Sequence, residues 1–310
     1  MSSKGFDPYE WAKERLEKLI SKIETIKKDG LKTSPGDVWS IKKFFVIDYC
    51  IGGFVPIFKK WFRQFYYVDT HCGSGIIKFK ERELEDERFP GSALVSLFKP
   101  DEKSFTKYFL FDDEEESINA LTKRISTLSD SIGSKSIIAE KKEFSDSITK
   151  IQELNNRGIA FLVVVDPIGF REIKWNLMEQ LLNVDTADVI FTFMTHVIAR
   201  HRSNCTLDNS YGKSLTEFYG DESWEESTKG EELMKIYRNK IQTIKKHVYD
   251  IPVFQSGNQI AYHIIIATNS DGARNIVESA RKITQVQTKM IDGGLKVVTN
   301  KRTEITDFFE

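Results

Sequence analysis

The 310-residue sequence predicts a doubly wound α/β domain whose mostly parallel sheet ends in an antiparallel hairpin. Three observations carry that expectation. Short apolar runs alternate with segments of helical period. The first run opens into a glycine turn, Tyr67-Val68-Asp69-Thr70-His71-Cys72-Gly73-Ser74-Gly75. The last two runs face each other across Ser256-Gly257-Asn258, the spacing of a hairpin.

From Pro8 to Lys28, Trp11, Leu16, Leu19, Ile23 and Ile26 recur near the 3.6-residue period, with Asp7-Pro8 to start a helix and Gly30 to stop it. A second helix is predicted from Asp37 past Tyr49, with Val38, Ile41, Phe44, Phe45 and Ile47 on its apolar face and Lys42 and Lys43 outside it. Residues 1–62 thus read as an N-terminal helical cap packed on the core, and 63–310 as the Rossmann-like domain. Strands are expected at Gln64–Asp69, Thr106–Asp112, Ser136–Ala139, Ile159–Asp166 and Asp188–Met194. The unbroken apolar run of Ile159–Asp166 is that of a central parallel strand covered on both faces. Helices are expected at Gly91–Phe98, Glu114–Leu128, Phe144–Asn155 and Lys174–Leu182. Charged Lys78–Pro90 reads as an insertion, and about 197–229 as a polar segment inserted at the rim of the sheet. A helix at Glu231–Val248 and the hairpin Ile251–Gln255 and Ile260–Thr268 complete the fold.

The 45 basic and 46 acidic side chains nearly cancel, so no global field draws in nucleic acid or an anionic membrane. Cys50, Cys72 and Cys205 have no metal-ligand or disulfide spacing, and a reducing, cytoplasmic setting is expected. Met-Ser-Ser-Lys and the charged stretch after it do not make a signal sequence, and no apolar run approaches the ~18 residues of a membrane span.

The chemistry centres on the turn. Glycine at the end of a strand permits positive φ and lets a ligand lie against bare backbone, at the sheet edge where open α/β folds bind ligands. Dinucleotide sites use G-x-G-x-x-G to hold a pyrophosphate. Here the acid comes first, as D-x-x-x-G-x-G with Asp69, Gly73 and Gly75, and the third position after Gly75 is Lys78. That variant suits a cofactor with an amino-acid end and no phosphate, S-adenosylmethionine (SAM). A parallel sheet closed by an antiparallel hairpin is also the arrangement of class I methyltransferases. Asp112 ends the second strand, where a carboxylate would bind the ribose diol, with Asp113 beside it as a substitute. Glu143 follows the third strand, either near the adenine amino group or as an acid favoured by a helix N-terminus. His71 either contacts the methionine carboxylate or is a surface turn residue. Asp166-Pro167-Ile168-Gly169 kinks the chain at the fourth strand's end, since proline cannot continue a ladder. Asp166, with Pro167, either faces the methyl acceptor or caps that turn.

Other motifs are weaker. His196 and His201 lack a third metal ligand in sequence and read as a solvated loop. With Tyr211 and Lys213 they lie in a rim segment suited to a substrate or partner. Lys59-Lys60-Trp61-Phe62-Arg63 has a composition used on single-stranded nucleic acid, but reads first as an amphipathic helix end whose aromatics enter the core.

Together these pieces resemble the three-Cys-motif partner (TcmP) family, methyltransferase-like proteins encoded beside a radical-SAM protein with three motif cysteines. The carrying residues are Trp39-Ser40 with Lys43 and Tyr49, the Asp69–Gly75 turn, Gly91-Ser92-Ala93-Leu94, Phe111-Asp112, Asp166-Pro167-Ile168-Gly169, and Tyr262–Thr268 followed by Asp271-Gly272-Ala273. Two departures stand out. The family turn runs roughly DxxAGPG where this chain has His71-Cys72-Gly73-Ser74-Gly75, and Glu143-Phe144 replaces an aspartate before phenylalanine. The resemblance implies a SAM cofactor and a radical-SAM partner protein; it supplies no substrate. A SAM-dependent methyltransferase acting on nucleic acid or another macromolecule is the leading expectation. In base methyltransferases the element [DNS]PP[YF] holds the acceptor amine, and here Ile168 and Gly169 replace its second proline and ring. The alternatives are a non-catalytic SAM-binding partner subunit, or a nucleic-acid-processing enzyme with Mg²⁺ on Asp69, Asp112, Glu143 and Asp166.

Overall fold

The computed structural model describes residues 6–156, 158–202, 205–255, 259–291 and 294–298. Helix α1 (Pro8–Ser21) begins as expected, with the Asp7 carboxylate accepting from the Tyr9 and Glu10 N–H groups at 2.9 and 3.3 Å. It ends seven residues before Lys28. Beyond Ser21 the chain tightens into i→i+3 turns, Ile23 N–H to Ile20 O at 3.0 Å and Ile26 N–H to Ile23 O at 2.9 Å, which still bury both isoleucines. Strand β1 (Ser34–Gly36) and helix α2 (Ile41–Trp61) follow. Lys42 and Lys43 point inward, against expectation: Lys42 is buried and donates to the Phe254 carbonyl at 3.2 Å. The apolar face of α2 is too wide to leave either lysine in water, and each finds an acceptor inside. Buried Asp48 on α2 binds α1 through two bonds from Arg15, at 2.8 and 2.7 Å, and Lys99 joins it at 3.0 Å.

Next come β2 (Gln64–Asp69), β3 (Ile76–Phe79), β4 (Arg88–Pro90), α3 (Ser92–Leu97), β5 (Lys107–Asp112), α4 (Glu115–Thr127), α5 (Ser129–Ile132), β6 (Ile137–Lys141), α6 (Phe144–Leu154), β7 (Ile159–Val165), α7 (Trp175–Leu182) and β8 (Ala187–Phe193). The chain then forms α8 (Thr195–Arg202), α9 (Ser210–Tyr219), α10 (Gly230–Gln242), β9 (His247–Phe254), β10 (Ile260–Thr268), α11 (Ala273–Ile283), β11 (Gln287–Ile291) and β12 (Gly294–Val298). The main sheet has the order β6-β5-β2-β7-β8-β10-β9. Its first five strands are parallel, and β10 lies antiparallel between β8 and β9. This is the expected doubly wound α/β fold closed by an antiparallel hairpin; the turn at 256–258 lies outside the described residues.

Period-two alternation divides the sheet between two cores. Along β7, Leu162 and Val164 join the core with α1, α2, α3 and α11, while Phe161, Val163 and Val165 join the one with α6, α7, α9 and α10.

Several boundaries differ from expectation. Lys78–Pro90 is no free insertion: β3 pairs with β4 and, in parallel, with β1, making a small sheet beside the glycine turn. The helix expected to Val248 stops at Gln242, because His247–Phe254 forms β9 and pairs along β10. Helix α11 and the β11–β12 pair add elements beyond those the sequence pattern predicts. The rim segment carries α8 and α9 and buries Trp224, so His196 and His201 sit on a helix and not in a loop. Of the aromatics in Lys59–Arg63, Phe62 packs against the core but Trp61 is 69 % exposed beside a hollow of about 670 Å³, at the end of the sheet opposite the glycine turn. Among the described residues no helix is long and apolar enough to cross a membrane.

Candidate functional site

Strand β2 pairs with β5 on one side and β7 on the other, so the chain order reverses there and a crevice opens beyond the strand ends. The turn that leaves β2 is tied to both neighbours. Thr70 N–H donates to Val164 O at 3.1 Å, Cys72 N–H to Phe111 O at 2.8 Å, and Gly73 N–H to the Asp112 carboxylate at 2.9 Å. Gly73 and Gly75 have φ of 60° and 85°, the left-handed region that L side chains avoid. Beneath the turn lies Arg124, fully buried, which donates to Ser74 O at 2.8 Å and to both oxygens of Asp29 at 2.8 Å. From β1, the Ser34 hydroxyl accepts the Ser74 N–H at 3.1 Å.

Two cavities flank the turn and meet at His71, which borders both. The larger, about 510 Å³, is lined by Trp39 and Lys43 from the α2 side, Asp166 and Pro167 after β7, His196 on α8, and Tyr262 on β10. The smaller, about 360 Å³, is lined by Thr70, Asp113, Glu143, Phe144, Lys174 and Leu177. His71 stacks on Phe144 with centroids 5.6 Å apart, and its Nδ1 lies 2.8 Å from the Thr70 hydroxyl. Burial pushes its pKa down to about 4. Its 3.8 Å approach to Glu172 is therefore a contact of a neutral imidazole, not an ion pair.

The predicted residues divide into three groups. Gly73, His71, Asp166 and Pro167 line the larger cavity, and Glu143 lines the smaller one without making a side-chain cap bond to α6. Asp69 is buried under the turn, where it accepts from His71 N–H at 3.3 Å and from the Tyr67 hydroxyl at 3.2 Å. Burial raises its carboxyl to about 7, with nearby Asp166 adding to the effect. Asp112 is turned inward: its two oxygens accept the Gly73 and Glu114 N–H groups at 2.9 and 3.1 Å. Its neighbour Asp113 faces the smaller cavity instead. Gly75 lines neither cavity; its role is steric, since a Cβ there would meet Leu121 Cδ1 at 2.7 Å.

The residue that sequence reasoning placed wrongly matters most. Lys43 Nζ lies 2.5 Å from Asp166 Oδ2, and it stands 5.7 Å from the centre of the Tyr262 ring. The Tyr262 hydroxyl is buried with no hydrogen-bond partner among the described residues, and its ring packs against Trp39 at 5.4 Å. A lysine beside an apolar stripe gives no sign of turning inward. The four carboxylates considered for Mg²⁺ are engaged separately, Asp69 under the turn, Asp112 on backbone N–H groups, Glu143 in the smaller cavity and Asp166 on Lys43. Among the described residues no three His, Cys, Asp or Glu side chains gather as a metal set.

No protein-family model matches the chain, and no curated protein matches it. Solved structures do. LPL1258 from Legionella pneumophila, of the DUF519 family, superposes with a TM-score of 0.50 at 11 % identity, over 86 % of this chain and 98 % of that one. Trm1 from Pyrococcus horikoshii, solved with SAM, gives 0.42 at 10 % identity, over 85 % of this chain and 64 % of that one. The plantazolicin methyltransferase BpumL, solved with S-adenosylhomocysteine, gives 0.39 at 11 % identity, over 84 % of this chain and all of that one (100 %). At such identities the likeness is one of fold alone, a Rossmann-like α/β architecture.

Proposed function

We propose that this protein is a SAM-dependent methyltransferase acting on a macromolecule, in company with a radical-SAM protein of the three-Cys-motif group. The observation that carries this reading is the pair of cavities meeting at His71 over the positive-φ glycine turn. The residues present suit SAM. Phe144 and Leu177 with the carboxylates Asp113 and Glu143 match an adenosine, whose ring is apolar on its faces and whose amino and hydroxyl groups donate. Across His71, the larger cavity has bare backbone at Gly73 and room for a methionine chain together with an acceptor.

When bound, SAM supplies an electrophilic methyl group on a sulfonium. The chain orients the acceptor, excludes water and takes up a proton. Lys43 holds one oxygen of Asp166 and leaves the other to accept a hydrogen bond from an acceptor N–H or O–H. The free oxygen of Asp166 would take up the proton that the acceptor N–H or O–H gives up as its lone pair bonds the methyl group. Transfer of labelled methyl from SAM to nucleic-acid and protein fractions tests this. Wild type should label one fraction, and Asp166→Asn should lose that labelling while still binding SAM.

One observation favours the partner-subunit reading. Asp166 is already paired with Lys43, and Ile168, 87 % exposed, and Gly169 stand where base methyltransferases carry the second proline and the ring. SAM binding with no labelled fraction, together with co-elution of the radical-SAM protein, would decide for that reading.

A further inference from the structure

Beside the mouth of the larger cavity lies a rim unlike the rest of the surface. Of the five exposed large hydrophobic side chains among the described residues, Ile168, Leu207 and Tyr211 belong to it. His201 stacks on Tyr211 with centroids 5.0 Å apart and planes 12° from parallel. The Arg171 guanidinium stands 4.3 Å from the centre of the same ring. Arg200, next to His201 on α8, lines the cavity itself, so the stack and the cleft form one surface. The local field is positive, for Arg200 and Arg171 add to burial in lowering the pKa of His201. Near-neutral overall charge makes such a patch a local device, not a general attraction.

We infer that this rim binds single-stranded nucleic acid, with Arg171 and Tyr211 as its stacking and phosphate-binding residues. The inference deepens the methyl-transfer reading and rests on it for what becomes of the bound strand. Two facts favour a nucleic acid over an acidic protein segment. The His201 and Tyr211 rings are nearly parallel and an exposed guanidinium stands over the same ring, a combination used in holding bases. Beside them opens a cleft of about 510 Å³ walled by Trp39 and Tyr262, with volume enough for one base turned out of its strand. Enzymes that modify a base must take it from the stack, so a strand already single is the cheapest substrate.

The test uses the full chain, a short fluorescein-labelled single-stranded RNA or DNA, and anisotropy over a range of salt. Wild type should bind, and Arg171→Ala and Tyr211→Leu should each weaken binding roughly tenfold. Arg171→Ala should also reduce the salt slope by about one. Both side chains are exposed, so both variants should keep the wild-type circular dichroism and SAM titration. Absence of oligonucleotide binding, or binding that both variants leave within about twofold, overturns the assignment. So does equal competition by polyglutamate, which would make the rim a general polyanion surface. Oligonucleotide binding without SAM binding upholds the rim and sinks the methyltransferase reading, so the two failures are separable.

Discussion

Replacing Asp69 by asparagine should make the protein more stable at neutral pH and above, with a gain that grows from about pH 4 to about pH 7 and is level beyond. The carboxyl is fully buried beneath the turn, and burial holds its pKa at about 7 in place of 3.8. The folded protein therefore keeps a proton that the unfolded chain sheds near pH 4. Between those values the unfolded state binds fewer protons, so stability falls as pH rises. The full displacement corresponds to roughly 4 kcal/mol, of which roughly 3 kcal/mol is lost between pH 5 and pH 8. Asparagine has the same shape, keeps a carbonyl for the His71 N–H, and has no charge to desolvate. Asp188, raised to about 6, adds to the fall, while His71, lowered to about 4, opposes it up to about pH 6.5. Both are present in wild type and variant and cancel in the difference. Urea unfolding at pH 5 and pH 8 should show the gap between Asp69→Asn and wild type widening by roughly 3 kcal/mol in favour of the variant. A gap that stays constant with pH would refute the placement of Asp69 as a buried, protonatable support of the turn.

Arg124→Met removes the clamp on Ser74 O and strands Asp29; it should cost about 3–5 kcal/mol in urea unfolding, and a loss below about 1 kcal/mol would show that the clamp matters little. Gly75→Ala forces a Cβ into the left-handed region 2.7 Å from Leu121, for an expected loss of about 1–3 kcal/mol by the same assay. His71 should stay neutral from mildly acidic pH upward, so its imidazole NMR resonance should be flat above about pH 5.5; an inflection near pH 6.5 would mean the ring is in water. Lys43→Met should leave SAM binding in place but abolish methyl transfer, read by the labelled-methyl assay, because Asp166 loses the group that orients it.

The sheet was legible because its signals are local. Continuous apolar runs such as Ile159–Val165 cannot be half-exposed strands, and an acid followed by two glycines marks a strand that stops at the ligand edge. The side chains that complete the site were less legible, since their direction is set by tertiary packing. Lys43 follows Lys42 in a helix whose apolar face is wide enough to turn both inward, and periodicity places them on its solvent side. Asp112 and Asp113 are adjacent acids at one strand end, and only the hydrogen bond from Gly73 N–H decides which is turned away from the cavity. Arg88–Pro90 folds back on β3 within the same charged segment, and β3 in turn finds an edge in β1, far earlier in the sequence. The division of His71 between two cavities depends on its stack against Phe144, and no spacing rule links those two residues.

The central claim is that the crevice over the Asp69–Gly75 turn is a SAM site, and calorimetric titration of the full chain with SAM tests it most directly. Saturable binding of one equivalent is expected, competed by S-adenosylhomocysteine and weakened by Asp113→Asn and by Phe144→Ala in the smaller cavity. No binding, or binding that neither substitution alters, would contradict it.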